Sequence, residues 1–211
     1  MTPEELAQRH PKLYHVTSPG AWKQIQARGL LPAARLVDLL EPDESRRILL
    51  TTTRRPTEAL LEHPVHGRAI LNDNLPLSER ALASCLDDGL TPRDWLRMLN
   101  DRVFFWASED GLDRLLGAKM NRGRRRDVLV FDTCRLARVH AERIEISPIN
   151  SGSTIRRPAR RGLTTFTPLL AKSYREWQQQ RGRRDRIVEV VVRDGVPDIE
   201  RYFLEARTAE P

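Results

Sequence analysis

The segment Arg102-Val103-Phe104-Phe105-Trp106 constrains the fold most. Every residue after Arg102 is β-branched or aromatic, the composition of a strand rather than of an exposed helix. Two further runs share this character. Val128-Leu129-Val130-Phe131 is apolar without alternation, which predicts a strand buried on both faces. Arg186-Ile187-Val188-Glu189-Val190-Val191-Val192 predicts a last strand. Leu13-Tyr14-His15-Val16-Thr17 alternates apolar and polar residues, as a half-buried strand does. Arg68 to Leu71 and Glu142 to Ile146 complete the expected strands.

Helical patterns fill the intervals. Residues 1–12 read as a short leading helix and a loop. Ser18-Pro19 offers an N-cap and a first helical position where proline's missing N–H costs nothing, Trp22 and Ile25 form one stripe, and Gly29 caps the end. Ala33 to Leu40, Thr57 to Glu62 and Ser78 to about Asp87 have helical spacing. Thr91-Pro92-Arg93-Asp94 is a strong helix start, with Trp95, Met98 and Leu99 inward. Ser108 caps another helix, and Thr133–His140 and Ser173–Gln180 follow. Ile48 to Thr53 fits helix or strand, and its threonine run favours extended structure. His63-Pro64-Val65-His66-Gly67 is a turn. Such a mixture predicts one α+β domain spanning 1–211.

No apolar run reaches the ~20 residues of a membrane span, and the first residues are acidic, so a cytoplasmic protein without membrane partners is expected. Cys85 and Cys134 lack metal-ligand spacing and read as buried thiols; His63 and His66 have no carboxylate or Cys partner, so no metal is expected. The net charge of +7 comes mostly from Arg122–Arg126, Arg156-Arg157 with Arg160-Arg161, and Arg181–Arg184. A surface of this sign attracts polyanions such as DNA, RNA or nucleotides. Aromatic residues do not interleave with these clusters, which argues against a single-strand binder built on stacking.

Three features carry candidate chemistry. His15 and Thr17 lie two apart on a strand and point to one face. Glu189 stands alone among Ile187 and Val191 on one face of the last strand. A carboxylate half-buried there costs several kcal/mol unless it is paired or used. It therefore lies on an edge strand, pairs with a nearby arginine, or is a functional group. Phe104-Phe105-Trp106 places alternate rings in the core and leaves one face able to stack a flat ligand. The irregular 148–165 stretch, with Asn150-Ser151-Gly152-Ser153-Thr154 and its arginines, is a long polar loop of the kind that carries function.

Tyr14-His15-Val16-Thr17, the Phe104-Phe105-Trp106 strand followed by a helix, and Glu189-Val190-Val191-Val192 running into Gly195-Val196-Pro197-Asp198-Ile199 resemble, in this order, the ADP-ribosyltransferase superfamily and its DarT-like branch. The resemblance is end to end but sparse, and 67–100 and the 150–154 loop have no counterpart. It implies a split, mostly antiparallel sheet with surrounding helices and NAD, as substrate, in the cleft between the halves. It implies Glu189 and His15 as catalytic residues and His15, Thr17, Phe105 and Trp106 as NAD contacts, with Arg54, Arg55 or Arg114 on the pyrophosphate. Asn150, Ser151, Ser153, Arg160 and Arg161 are the expected contacts to a nucleic-acid or nucleotide acceptor. Trp106 or Phe105 stands where the superfamily often has tyrosine. Related chemistries, NAD hydrolysis or RNA 2′-phosphate transfer, and a non-catalytic basic nucleic-acid-binding module are the alternatives.

Overall fold

The computed structural model describes residues 1–41, 43–155, 157–181 and 187–209. The chain runs α1 (Pro3–Arg9), β1 (Lys12–Thr17), α2 (Trp22–Arg28), α3 (Ala33–Leu40), α4 (Glu44–Thr52), β2 (Ala59–His63) and β3 (Gly67–Leu71). It continues through α5 (Glu79–Ala83), α6 (Pro92–Asn100), β4 (Arg102–Trp106), α7 (Glu109–Leu116), β5 (Arg126–Asp132) and α8 (Thr133–His140). β6 (Ile144–Ser147), β7 (Thr167–Pro168), α9 (Tyr174–Arg181), β8 (Glu189–Arg193) and β9 (Phe203–Ala209) complete it. The fold is α+β: seven of the described strands form one antiparallel sheet in the order β7-β6-β8-β4-β1-β5-β9, with helices packed around it.

The sheet is continuous in order but not in pairing. β1 pairs with β5 along its whole length, whereas it meets β4 at a single bridge, Tyr14 opposite Trp106. Beyond that bridge the two strands part. The packing follows the same division. One face buries Leu13, Phe105, Leu129, Phe131 and Val190 against Leu6, Leu136 and Ala137 in one core. On the other face each half has its own cluster. Val191 packs with Trp95, Leu96 and Leu99 of α6, while Tyr14, Val128 and Val130 pack with Leu112 of α7. A further cluster, Val37, Leu40, Leu50, Leu61 and Leu71, joins α3 and α4 to the separate β2–β3 hairpin.

Four local expectations are corrected. The strand expected to be last, β8, is followed by β9, which pairs with β5 at the sheet edge. Residues 48–52 are helical, because Asp43 caps α4 and accepts from the Arg46 amide, while the Thr51 and Thr52 hydroxyls bond back to the carbonyls of Arg47 and Ile48. Residues 59–62 are a strand rather than a helix, because Leu61 is 1 % exposed in the cluster with Leu71 and the backbone pairs with β3. α2 starts at Trp22 and not at Pro19: Gly20, at φ +75°, turns the chain, and the Ser18 carbonyl accepts from the Ala21 amide. The predicted Thr91 cap is present as a full capping box with Asp94. Cys85 is buried and Cys134 partly so. Among the described residues no helix is long and apolar enough to cross a membrane. Arg156 and the Gly182–Arg184 part of the last basic cluster lie outside the described residues, as does Arg186.

Candidate functional site

Where β1 and β4 part, the molecule holds a cavity of about 900 Å³. The hairpin contributes Leu60, Arg68 and Ile70 to its wall, α2 contributes Lys23 and Arg28, and the 150–152 loop closes another side. His15, Thr17, Phe105, Trp106, Asn150, Ser151 and Glu189 all line it, so residues from both ends of the chain share one space.

They reach it from different sides. Tyr14, Trp106, Glu189 and Ser147 form one row across the sheet, so Trp106 and Glu189 share a face. His15, one residue beyond Tyr14, points to the opposite face with Leu13. A continuous sheet would separate His15 from Glu189; the parting of β1 and β4 lets one cavity touch both.

The His15 ring closes part of this gap. Its Nδ1–H donates to the Phe104 carbonyl across it at 2.9 Å. Because a carbonyl only accepts, the proton is on Nδ1 and Nε2 is left as an acceptor. Burial lowers the imidazole's pKa, so the ring is neutral at neutral pH. The Phe105 ring, 5.8 Å from His15, is 1 % exposed and packs edge-on against Phe131 at 5.7 Å. It therefore belongs to the core, whereas Phe104 and Trp106 are half-buried and leave aromatic surface open to a ligand.

Glu189 is 5 % exposed. Its carboxylate accepts the Ser151 hydroxyl at 2.7 Å and the Ser151 amide at 3.2 Å to each oxygen. Burial pushes its pKa up to about 7; the two Ser151 hydrogen bonds, and then the charge of Arg161, oppose that rise. It forms no ion pair within 4 Å among the described residues. Near neutrality it is thus poised between its two protonation states.

The expected arginines divide. Arg54 gives Nη2 to the Leu75 carbonyl and lines a separate groove with Ser78 and Glu79; Arg114 is exposed on α7, outside the cavity. Arg55 does line the cavity and is 8 % exposed. Its guanidinium donates to the carbonyls of Asn72 and Leu50 and to Asn100 Oδ1, at 3.0, 2.6 and 3.0 Å. Among the described residues no carboxylate pairs with it within 4 Å, and burial pulls its pKa down to about 10. Asp73 opposes that fall without pairing directly, and a desolvated cation with no ion pair within 4 Å among the described residues favours an anionic ligand group beside it. Arg126 also lines the cavity, but its charge is met by Glu58 at 2.5 Å.

The loop residues expected to meet an acceptor are mostly engaged within the protein. Ser153 and Arg161 do not line the cavity, and Arg161 is 2 % exposed. Arg161 donates to the carbonyls of Ala159, Ser151 and Ser153, at 3.0, 2.8 and 2.9 Å. Arg160 is exposed and bound to Asp87 and to the carbonyls of Ser84 and Leu86. Asn150 is the member of this set that borders the cavity half-exposed. Sequence reasoning missed Ser18, whose hydroxyl is buried on the cavity wall with no hydrogen-bond partner among the described residues. It also missed the hairpin wall, since the 57–62 pattern mimics a helix.

No curated protein matches the chain. A family model described as "Family of unknown function (DUF7002)" matches residues 11–203, from the start of β1 to the start of β9, and the chain belongs to that family.

Proposed function

We propose that the chain is an ADP-ribosyltransferase-like enzyme that takes NAD as substrate in the cavity at the β1–β4 gap. The observation that carries this reading is that His15, Trp106 and Glu189, named from a sparse sequence resemblance, line one cavity. Its volume, about 900 Å³, falls in the range of small-molecule and cofactor sites.

Each residue has a physical role in this reading. Breaking the nicotinamide–ribose bond develops positive charge on the sugar. The Glu189 carboxylate stabilises that charge, and more effectively in a desolvated site than in water. The neutral His15 ring offers Nε2 to a ribose hydroxyl, with Thr17 beside it. Trp106 packs on the nicotinamide ring. Arg55, in place of Arg54 or Arg114, faces the pyrophosphate. Lys23 and Arg68, exposed at the cavity wall and without an ion pair among the described residues, favour an anionic acceptor such as nucleic acid or a nucleotide.

Incubation with NAD labelled in the adenosine part, alone and with DNA, RNA or guanosine nucleotides, tests this. Transfer gives label on the acceptor, and hydrolysis gives free ADP-ribose and nicotinamide. Glu189→Gln abolishes both and leaves NAD affinity within about tenfold. Absence of NAD binding at millimolar concentration refutes the reading and leaves the non-catalytic basic module.

A further inference from the structure

We propose that Ser151 is a positioning residue for Glu189: it holds the carboxylate through its amide and hydroxyl, and Trp95 and Arg161 hold Ser151 in turn. The inference rests on the reading of Glu189 as the charged group at the reacting bond, and it changes the expected role of Ser151 from acceptor contact to internal support.

The geometry uses every polar group of this serine. Its side chain is fully buried. The amide and hydroxyl both donate to Glu189, the hydroxyl at 2.7 Å. The carbonyl accepts from Trp95 Nε1 at 3.2 Å and from Arg161 Nη1 at 2.8 Å. Arg161 is anchored by its own backbone, which pairs with Cys85 and Asp87 at 2.9 and 2.8 Å. A chain of contacts thus runs from the end of α5 through Arg161 and Ser151 to the carboxylate.

The two oxygens are treated unequally. Oε2 takes the hydroxyl, whereas Oε1 takes only the longer amide contact among the described residues, which leaves Oε1 with spare acceptor capacity. The groups facing the carboxylate from neighbouring strands, Trp106 on β4 and Ser147 on β6, are uncharged. Arg161 is the charged side chain that acts on it. Hydrogen bonds that favour the ionised form keep a buried carboxylate titratable near neutrality; without them it stays protonated and cannot serve as an anion.

The test is a ¹³C NMR titration of glutamate carboxyls in the full chain, with the Glu189 signal identified by its loss in Glu189→Gln. In Ser151→Ala the midpoint moves up by about one pH unit, a tenfold weaker acid, and Ser151→Thr returns it to within about 0.3 unit. If NAD is turned over, Ser151→Ala lowers kcat, shifts the acid limb of the pH profile upward by the same amount and leaves KM for NAD within about twofold. A midpoint unchanged in a folded Ser151→Ala protein overturns the proposal. Ser151→Cys, close in size but a weak donor, replaces it if Ser151→Ala does not fold, with the same upward shift expected. A shifted midpoint in a protein that neither binds nor cleaves NAD supports the role of Ser151 and refutes the NAD reading.

Discussion

Replacing Glu189 by glutamine makes a stability measurement that needs no substrate. The side chain is 5 % exposed, and its pKa rises from an ordinary 4.5 to about 7. The folded state therefore holds this proton more tightly than the unfolded state does. The contribution is fully present below pH 4.5 and is lost as pH rises through 7. A difference of about 2.5 units at 1.36 kcal/mol per unit gives roughly 3 kcal/mol. Glutamine carries no titrating proton and still offers an oxygen to the Ser151 amide and hydroxyl. Other titrating groups cancel in the difference between the two proteins. Urea unfolding of both, at half-unit steps from pH 4 to pH 8.5, gives that difference directly. We expect the wild type to lose about 3 kcal/mol relative to Glu189→Gln across the window, with most of the change between about pH 5 and 7. A difference flat to within about 0.5 kcal/mol, or a wild type that gains on the variant with rising pH, refutes the assignment of a desolvated carboxyl at this position.

Further outcomes follow from other parts of the site. His15→Ala lowers NAD affinity about fivefold to tenfold by calorimetry, through loss of one hydrogen-bonding group; unchanged affinity removes His15 from the site. Ser18→Ala raises the unfolding free energy in urea by about 1 kcal/mol, because a buried hydroxyl with no hydrogen-bond partner among the described residues costs its desolvation; no gain shows that the hydroxyl is satisfied in solution. Leu61→Ala costs about 2–4 kcal/mol in the same unfolding assay, because the side chain is 1 % exposed beneath the hairpin. A cost under about 1 kcal/mol shows that the hairpin wall is not packed as described.

Much of the architecture was legible wherever one physical effect dominated. Val103 to Trp106 and Val128 to Phe131 form strands because aromatic and β-branched side chains leave little alternative. Thr91-Pro92-Arg93-Asp94 starts a helix because its own side chains satisfy the first amides. Glu189 was visible because a lone carboxylate among valines demands a partner or a use. Legibility failed where distant contacts decide. Thr51 and Thr52 favour extended backbone in isolation, but an Asp43 cap and tertiary packing make them helical. Ala59 to His63 becomes a strand through pairing with residues that follow a turn. An arginine is one partner the sequence suggests for Glu189; its hydrogen-bond partner is Ser151, held by Arg161, and neither spacing nor residue type signals an amide and a hydroxyl brought in by a remote loop.

The one-bridge join at Tyr14 and Trp106 gives the molecule the construction of an open book, with two leaves meeting at a narrow spine. Each leaf keeps its own ladder and its own cluster on one side, so a substitution near the spine can change the angle between leaves without changing strand register in either. One core runs behind both leaves, so the width of the space between them is set by the side chains packed across the spine. Relatives could accommodate bulkier or slimmer guests there while every paired strand stays where it is.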